Sequence, residues 1–267
     1  MNLDDLSTQL LFTTVPIWAE GPNGNTSGTA FLFNVPSTVN PAQFIPLLVT
    51  NQHVIANAKR VVVEFIGRKG TQPDTSNKLH VDVDLATLNQ YSDANLDLAV
   101  APIGGLLNSR EQAGMPLFFR SIDPNLIPTD AALGELAAME EIVFIGYPSG
   151  LRDEKNSLPL IRRGITATPA WNDFRGKPSF LIDAGVFPGS SGSPVFILNQ
   201  GAYATRTGLN VGTRVLFLGV LTSTMVQSNQ GTNSVYLGLG TVTRSNVVKD
   251  YLSRVVSQLE KIIAVQN

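Results

Sequence analysis

Residues 183–194 read DAGVFPGSSGSP, and the interpretation of the whole chain depends on this segment. Its glycines and serines would suit a flexible linker. However, Pro188 and Pro194 stiffen it, and the apolar run 195–198 follows directly. A short apolar run after a turn is typical of a buried strand. We therefore expect a tight loop that enters a core strand and holds one hydroxyl group in place.

Ser191 is the hydroxyl that this loop is suited to present. A serine nucleophile needs a neighbouring base and backbone N–H donors for the oxyanion of acyl transfer. Gly189 can adopt a backbone conformation that is costly for other residues, and so can aim its N–H at an oxyanion. Ser190 and Ser193 are then neighbours of the nucleophile.

The candidate base comes from two histidines, His53 and His80. His53 follows an apolar run that ends in polar residues, whereas His80 borders the alternating segment 81–85 and is interpreted as structural. Asp97 lies within the apolar run 96–101, where a lone buried carboxylate would cost several kcal/mol. It therefore either faces solvent or has a partner, such as the Nδ1 proton of a histidine. Asp93 is the weaker candidate.

Composition excludes several classes of protein. The chain has 267 residues, a formal net charge of −2 and no cysteine. It therefore has no disulfide framework, thiolate nucleophile or cysteine zinc site, and no basic footprint for nucleic acid or an anionic membrane. No apolar run is long enough for a transmembrane helix. The acidic N-terminal residues argue against a signal peptide, so a cytoplasmic protein is expected.

Short apolar runs separated by glycine and proline predict an all-β fold, as a sandwich or as barrels. The predicted strands are 30–35, 47–50, 61–66, 96–101, 142–145, 180–182, 195–198 and 215–221. Residues 246–265 differ, because their apolar side chains recur at helical spacing. Ser245 is the expected N-cap of this C-terminal helix.

Several motifs, taken in order, resemble those of chymotrypsin-fold serine proteases. GTAF at 28–31, LVTNQHV at 48–54 and DLAV at 97–100 match three of them. The segment 183–194, together with IGYPSG at 145–150, is similar to HtrA-like bacterial enzymes. The likeness spans roughly residues 28–252.

The resemblance implies one trypsin-like domain over 1–267, built from two antiparallel six-stranded β-barrels and the C-terminal helix. The implied bounds are 12–110 for the first barrel, 111–134 for a connection, 135–244 for the second barrel and 246–265 for the helix. His53, Asp97 and Ser191 would form the catalytic triad of a serine endopeptidase that needs no metal or cofactor. Protein or peptide substrates are implied.

The resemblance also predicts a pocket for the side chain before the cleaved bond. Its lining would be Gly185, Val186, Phe187, Pro188, Thr222, Ser223, Thr224, Gly238 and Gly240. None of these residues is charged, so small or apolar side chains are expected there in preference to Lys or Arg.

Three departures from the family pattern affect regulation. Ser190 stands where trypsin has the aspartate that binds a newly cut N-terminus, so activation by propeptide cleavage is not expected. Ser193 replaces a glycine, which leaves the oxyanion donors of Gly189 and Ser191 in place. No PDZ domain is expected. We therefore predict that residues 187–191 exchange between collapsed and competent conformations, and that a protein partner or a substrate that prefers the competent form activates the enzyme. The alternative is a constitutive enzyme that narrow specificity alone restrains.

Two alternatives stay open. A degenerate protease could bind peptides by strand addition without cutting them. An esterase could use the same acyl chemistry, although its α/β fold would need a G-x-S-x-G motif and the order Ser, Asp, His.

Overall fold

The computed structural model describes residues 3–205, 208–228 and 234–266. Strands dominate them, as the sequence predicts. They form two large antiparallel sheets, one from each half of the chain, and a separate two-stranded sheet. A long helix follows the second large sheet.

The N-terminal sheet contains eight strands. They are β1 (Thr14–Gly21), β2 (Gly24–Pro36), β3 (Phe44–Thr50), β4 (Arg60–Lys69), β5 (Gln72–Val83), β6 (Ser92–Asp93), β7 (Leu98–Pro102) and β8 (Leu117–Phe118). Their order is β5-β4-β1-β2-β3-β7-β6, and β8 pairs with β4. This path, as traced through the described residues, is open, whereas the family resemblance implies a closed six-stranded barrel. The two-residue strands β6 and β8 are too short to leave a periodic pattern.

The C-terminal sheet is a closed six-stranded barrel. Its strands are β9 (Glu141–Gly146), β10 (Leu160–Thr166), β11 (Ser179–Asp183), β12 (Pro194–Asn199), β15 (Arg214–Ser228) and β16 (Ser234–Arg244). Two further strands, β13 (Ala202–Thr205) and β14 (Gly208–Val211), pair only with each other in the described chain. The barrel order β10-β11-β16-β15-β12-β9 confirms the prediction for this half.

Short helices connect the strands. They are α1 (Leu6–Leu11), α2 (Gln52–Ile55), α3 (Leu85–Gln90), α4 (Gly104–Gln112) and α5 (Asp130–Gly134), with 3-10 turns at Pro124–Leu126 and Pro148–Gly150. The long helix α6 (Ser245–Gln266) follows the barrel, as predicted. Its Val248, Leu252 and Val256 are buried in the core between the two sheets. None of the helices in the described chain is long and apolar enough to cross a bilayer.

Phe217 of β15 lies where the two sheets meet. Its ring centroid is 5.8 Å from that of Phe31, 5.9 Å from that of Phe33 and 5.6 Å from that of Phe196. All four rings are fully buried. Because aromatic pairs contribute beyond the area they bury, this cluster holds the two sheets in fixed relation.

Candidate active site

His53 lies on the short helix α2, directly after β3. Asn51 is fully buried between these elements, and its Nδ2 donates to the carbonyl oxygen of Asp97 at 2.7 Å. The amide of Gln52 donates to the same oxygen at 3.3 Å. Asn51 and Gln52 therefore bind the segment before His53 to the turn that contains Asp97.

The structure brings His53 and Asp97 together. Oδ2 of Asp97 lies 2.6 Å from Nδ1 of His53, and Oδ1 accepts a hydrogen bond from the His53 amide at 2.9 Å. One carboxylate therefore contacts both the ring and the backbone of the same residue. This arrangement favours the tautomer with its proton on Nδ1, which leaves Nε2 free to accept a proton.

Asp97 does not lie in a strand, although the run 96–101 predicts one. β7 begins at Leu98, and Asp97 has a φ of 53° in the turn before it. Aspartate tolerates this left-handed conformation better than most residues do. The side chain is 27% exposed, so its charge is partly solvated as well as paired.

The loop before Ser191 forms a tight turn. The amide of Ser190 donates to the carbonyl oxygen of Phe187 at 3.0 Å, and Gly189 has a φ of 87°. Proline followed by a glycine of positive φ is typical of a type II turn. A Cβ at position 189 would also lie 2.7 Å from the carbonyl oxygen of Tyr147, so only glycine fits.

Two residues outside the loop hold its peptide groups. The amide of Ser149 donates to the carbonyl oxygen of Pro188 at 2.5 Å, and Oγ1 of Thr29 donates to that of Gly189 at 3.1 Å. Thr29 is fully buried, and its hydroxyl accepts from the amide of Tyr147 at 3.0 Å. The first motif contains Thr29, but sequence reasoning assigned no role to its hydroxyl.

The amides of Gly189 and Ser191 have no hydrogen-bond acceptor among the described residues. An amide without an acceptor costs free energy where water cannot replace the lost bond. Gly189 is buried, and its carbonyl oxygen is already held by Thr29. Both N–H groups predicted for the oxyanion are therefore available to a substrate atom.

The Ser191 hydroxyl is not hydrogen-bonded to His53 in this structure. Its Oγ contacts the carbonyl oxygen of Thr222 at 3.4 Å, which is a weak hydrogen bond. A Cβ at Gly28 would lie 2.9 Å from Val54, the residue after His53, and 3.3 Å from the carbonyl oxygen of Ser191. Gly28 thus lies between the two segments.

The serines beside Ser191 are inaccessible. Ser190 and Ser193 are fully buried, whereas Ser191 is partly exposed. Oγ of Ser193 donates to Oγ1 of Thr29 at 3.3 Å. A Cβ at Gly146 would lie 2.1 Å from the Ser193 Oγ. The hydroxyl at 193 therefore fills space that Gly146 leaves.

Some of the predicted pocket residues come together at one end of the barrel. Oγ1 of Thr224 is 3.4 Å from the carbonyl oxygens of Val186 and of Leu239. The amide of Ala184 donates to the carbonyl oxygen of Gly238. A Cβ at Gly240 would touch Val186 at 2.8 Å. Phe187, Pro188 and Ser223 are exposed instead. Thr222 and Ser223 line a groove beside Asp97.

Arg162 is a residue that sequence reasoning missed at this pocket. Its Nη2 lies 1.8 Å from where a Cβ at Gly185 would be, and its guanidinium lies 5.4 Å from the ring centroid of Phe187. It forms no ion pair with another described residue. The alternation of β10 could have shown that Arg162 and Gly164 share a face, but not that Gly185 packs against this face.

The two weaker candidates have other partners. Oδ1 of Asp93 accepts from the amides of Asn95 and Leu96, within its own loop. Nε2 of His80 lies 3.1 Å from Glu64, so His80 pairs at the surface of the N-terminal sheet. Both observations agree with the roles expected from the sequence.

Comparison with solved structures gives the same fold. The HtrA-type protease AlgW, solved with a tripeptide, superposes with a TM-score of 0.54 at 16% identity, over 97% of this chain and 64% of that chain. A serine endoprotease from Yersinia pestis superposes with a TM-score of 0.52 at 16% identity, over 96% and 67%. The chain therefore spans less than two thirds of the AlgW chain. No curated protein sequence matches it.

Residues 28–203 match the sequence profile of the trypsin-like peptidase domain. This segment includes His53, Asp97 and Ser191, and it covers more than half of the chain. The chain belongs to the trypsin-like peptidase family.

Proposed function

We propose that this chain is a serine endopeptidase that cuts protein or peptide substrates through an acyl-enzyme on Ser191. The observation that carries the proposal is the 2.6 Å contact between His53 Nδ1 and Asp97 Oδ2. This contact orients the imidazole of His53. The next residue, Val54, and the carbonyl oxygen of Ser191 both lie close to Gly28.

The roles follow from the geometry. His53 Nε2 removes the proton of Ser191 Oγ as that oxygen attacks the scissile carbonyl, and then gives the proton to the leaving amine. Asp97 stabilises the imidazolium that forms. Water then attacks the acyl-enzyme, and His53 again acts as the base.

Ser191 must turn toward His53 for this step. Its 3.4 Å contact with the Thr222 carbonyl oxygen is long, so breaking that contact costs little. One rotation about the Cα–Cβ bond moves the Oγ. Catalytic hydrogen bonds are often long without substrate and shorten in the complex.

The amides of Gly189 and Ser191 bind the oxyanion in this proposal. Ser149 and Thr29 hold the neighbouring carbonyl oxygens, so the N–H groups need no rearrangement when charge develops. Preorganised donors of this kind are usually the largest electrostatic contribution to acyl transfer.

The pocket favours a small or apolar side chain before the cleaved bond. Val186, Thr224 and Gly240 supply uncharged walls. The Arg162 guanidinium fills the space beside Gly185. A lysine or arginine side chain that reached this space would meet a like charge.

An active-site-directed fluorophosphonate tests the proposal. We expect one label per chain, on Ser191, and hydrolysis of an unstructured peptide. Ser191→Ala should abolish labelling and lower turnover by several orders of magnitude, with the melting temperature nearly unchanged. Ser190→Ala, which removes a buried hydroxyl, is the matched control and should retain the label.

Three outcomes would contradict the proposal. A folded protein that is not labelled but binds peptides would be the silent binding module. Labelled protein that cuts esters and no peptide bond would be an esterase. Loss of the label in Ser190→Ala but not in Ser191→Ala would move the nucleophile by one residue.

A further inference from the structure

A groove of about 420 Å³ lies directly beside the candidate active site. Its lining includes Leu96 and Asp97, the segment with Phe174, Arg175 and Lys177, and also Thr222. The groove therefore reaches Asp97 of the proposed triad and Thr222, whose carbonyl oxygen contacts Ser191 Oγ. Any chain bound across Ser191 in this direction would lie in it.

A rigid hairpin presents the two cations of this groove. Phe174 and Lys177 form a bridge, and the residues between them, Arg175 and Gly176, have φ values of 55° and 71°. Two successive residues of positive φ are typical of a type I′ turn. The Arg175 guanidinium lies 5.0 Å from the ring centroid of Phe174.

Arg244 fixes the base of the same segment. Its Nη1 donates to the carbonyl oxygen of Trp171 at 2.9 Å, and its Nη2 lies 2.6 Å from Oδ1 of Asp173. The hairpin is therefore anchored to β16, next to the strand that carries Thr222.

Arg175 and Lys177 form no ion pair with any residue that the structure describes. The acids near them are already engaged: Asp173 pairs with Arg244, and Asp97 pairs with His53. Two neighbouring cations that lack a counter-charge favour an anionic ligand. Leu96 and Phe174 add apolar surface for the stem of its side chain.

An extended peptide fits the path between Ser191 and these cations. β12 pairs with β15 only as far as Val220, so the β15 edge from Thr222 onward has no partner strand on that side in the described chain. A peptide added there would advance about 3.3 Å per residue, with alternate side chains facing the groove. Thr222–Thr224 also border the pocket for the residue before the cleaved bond, so the groove receives residues further upstream.

We propose that the groove selects substrates with an acidic side chain two to four residues before the cleaved bond, held by Arg175 and Lys177. This inference rests on the proposed function, since the position is counted from the bond that Ser191 attacks. Acidic substrates would also be attracted before contact, because the two cations extend into solvent.

Matched peptides that carry Glu or Gln at one of the three positions test this proposal. At one position we expect kcat/KM to be about threefold to tenfold higher for Glu, as two exposed charge pairs would give. The preference should appear in KM and shrink as salt is raised. In Arg175→Gln/Lys177→Gln the ratio of kcat/KM for the Glu peptide to that for the Gln peptide should fall to about one.

Lys249→Gln provides the control for net charge. Lys249 is exposed on α6 and does not line the groove, so this variant should keep the Glu preference. Arg175→Glu/Lys177→Glu should reverse the preference toward a Lys peptide. Equal rates for Glu and Gln at all three positions would overturn the proposal, as would a preference that the double Gln variant retains.

Binding separates this proposal from the proposed function. Fluorescence anisotropy with the Ser191→Ala variant measures the affinity for the same labelled peptides without cleavage. Tighter binding of the Glu peptide, lost on neutralising Arg175 and Lys177, would support the groove even if no turnover were found. If the unmodified protein cuts peptides but Ser191→Ala binds the Glu and Gln peptides equally, the acidic preference of the groove is rejected and the proposed function stands.

Discussion

Nη1 of Arg152 lies 2.5 Å from Oε1 of Glu64, whose side chain is only 3% exposed. Glu64 belongs to β4, whereas Arg152 follows the 3-10 turn that contains Ser149. The pair therefore fastens the N-terminal sheet to the segment whose Ser149 amide holds the Pro188 carbonyl.

Removing one partner of this ion pair should affect both stability and turnover. Arg152→Met leaves Glu64 buried without its main partner, so we expect a loss of about 3 to 5 kcal/mol in the free energy of unfolding. In addition, kcat should fall more than KM rises if the loop binds the oxyanion as proposed. The double variant Glu64→Leu/Arg152→Met should recover most of the stability in denaturant unfolding. Full kcat in folded Arg152→Met would contradict the link to the loop.

Replacing Asp97 should reduce activity while the protein stays folded. Asp97→Asn presents an amide to Nδ1 and favours the wrong tautomer, so kcat should drop on the order of 10⁴-fold. Asp93→Asn is the control, because the Asp93 carboxylate accepts from the amides of Asn95 and Leu96 and not from His53. A greater loss of kcat in Asp93→Asn than in Asp97→Asn would assign the orientation of His53 to Asp93.

The exchange of residues 187–191 between collapsed and competent conformations stays a prediction. The structure contains one conformation, with the Gly189 and Ser191 amides available. Fluorophosphonate titration of purified protein measures the competent fraction. A mostly collapsed loop should react slowly, and a partner that binds the competent form about 100-fold better would raise the rate, which needs about 2.7 kcal/mol. Rapid stoichiometric labelling at full turnover without a partner would reject the exchange.

Arg162 should limit which side chain precedes the cleaved bond. We expect peptides with Ala or Val at this position to be cut faster than those with Lys or Arg. Arg162→Ala removes the guanidinium from the space beside Gly185, so larger side chains should gain rate relative to Ala. Arg163→Ala, at the exposed neighbouring position, is the matched control. Unchanged relative rates in Arg162→Ala would show that the side chain does not reach Arg162.

High pH should destabilise the protein through its buried tyrosines. Burial raises the pKa of Tyr147 well above its ordinary value and that of Tyr251 to about 12. An unfolded tyrosine loses its proton near pH 10, so between about pH 10 and 12 the unfolded chain binds fewer protons and stability falls as pH rises. Tyr147→Phe should flatten this fall in unfolding measured against pH. An equally steep fall in Tyr147→Phe would show that another group causes the loss of stability at high pH.

The sequence by itself determined the all-β class, the C-terminal helix and the candidates His53, Asp97 and Ser191. These follow from local information: short apolar runs, helical spacing after Ser245, and motifs in which each residue type suits one kind of chemistry. Glycine at 189 and 192 belongs with them, because both positions have a φ of 87° that other residues resist.

Only the tertiary structure decided what surrounds these residues. The Thr29 hydroxyl reaches Gly189, which is 160 positions away, and the Arg162 guanidinium fills the space beside Gly185. The left-handed turn at Asp97 follows from bonds to α2, which outweigh the strand pattern of its neighbours. Contacts between distant segments depend on how the two sheets pack, and no local period in a sequence records that packing.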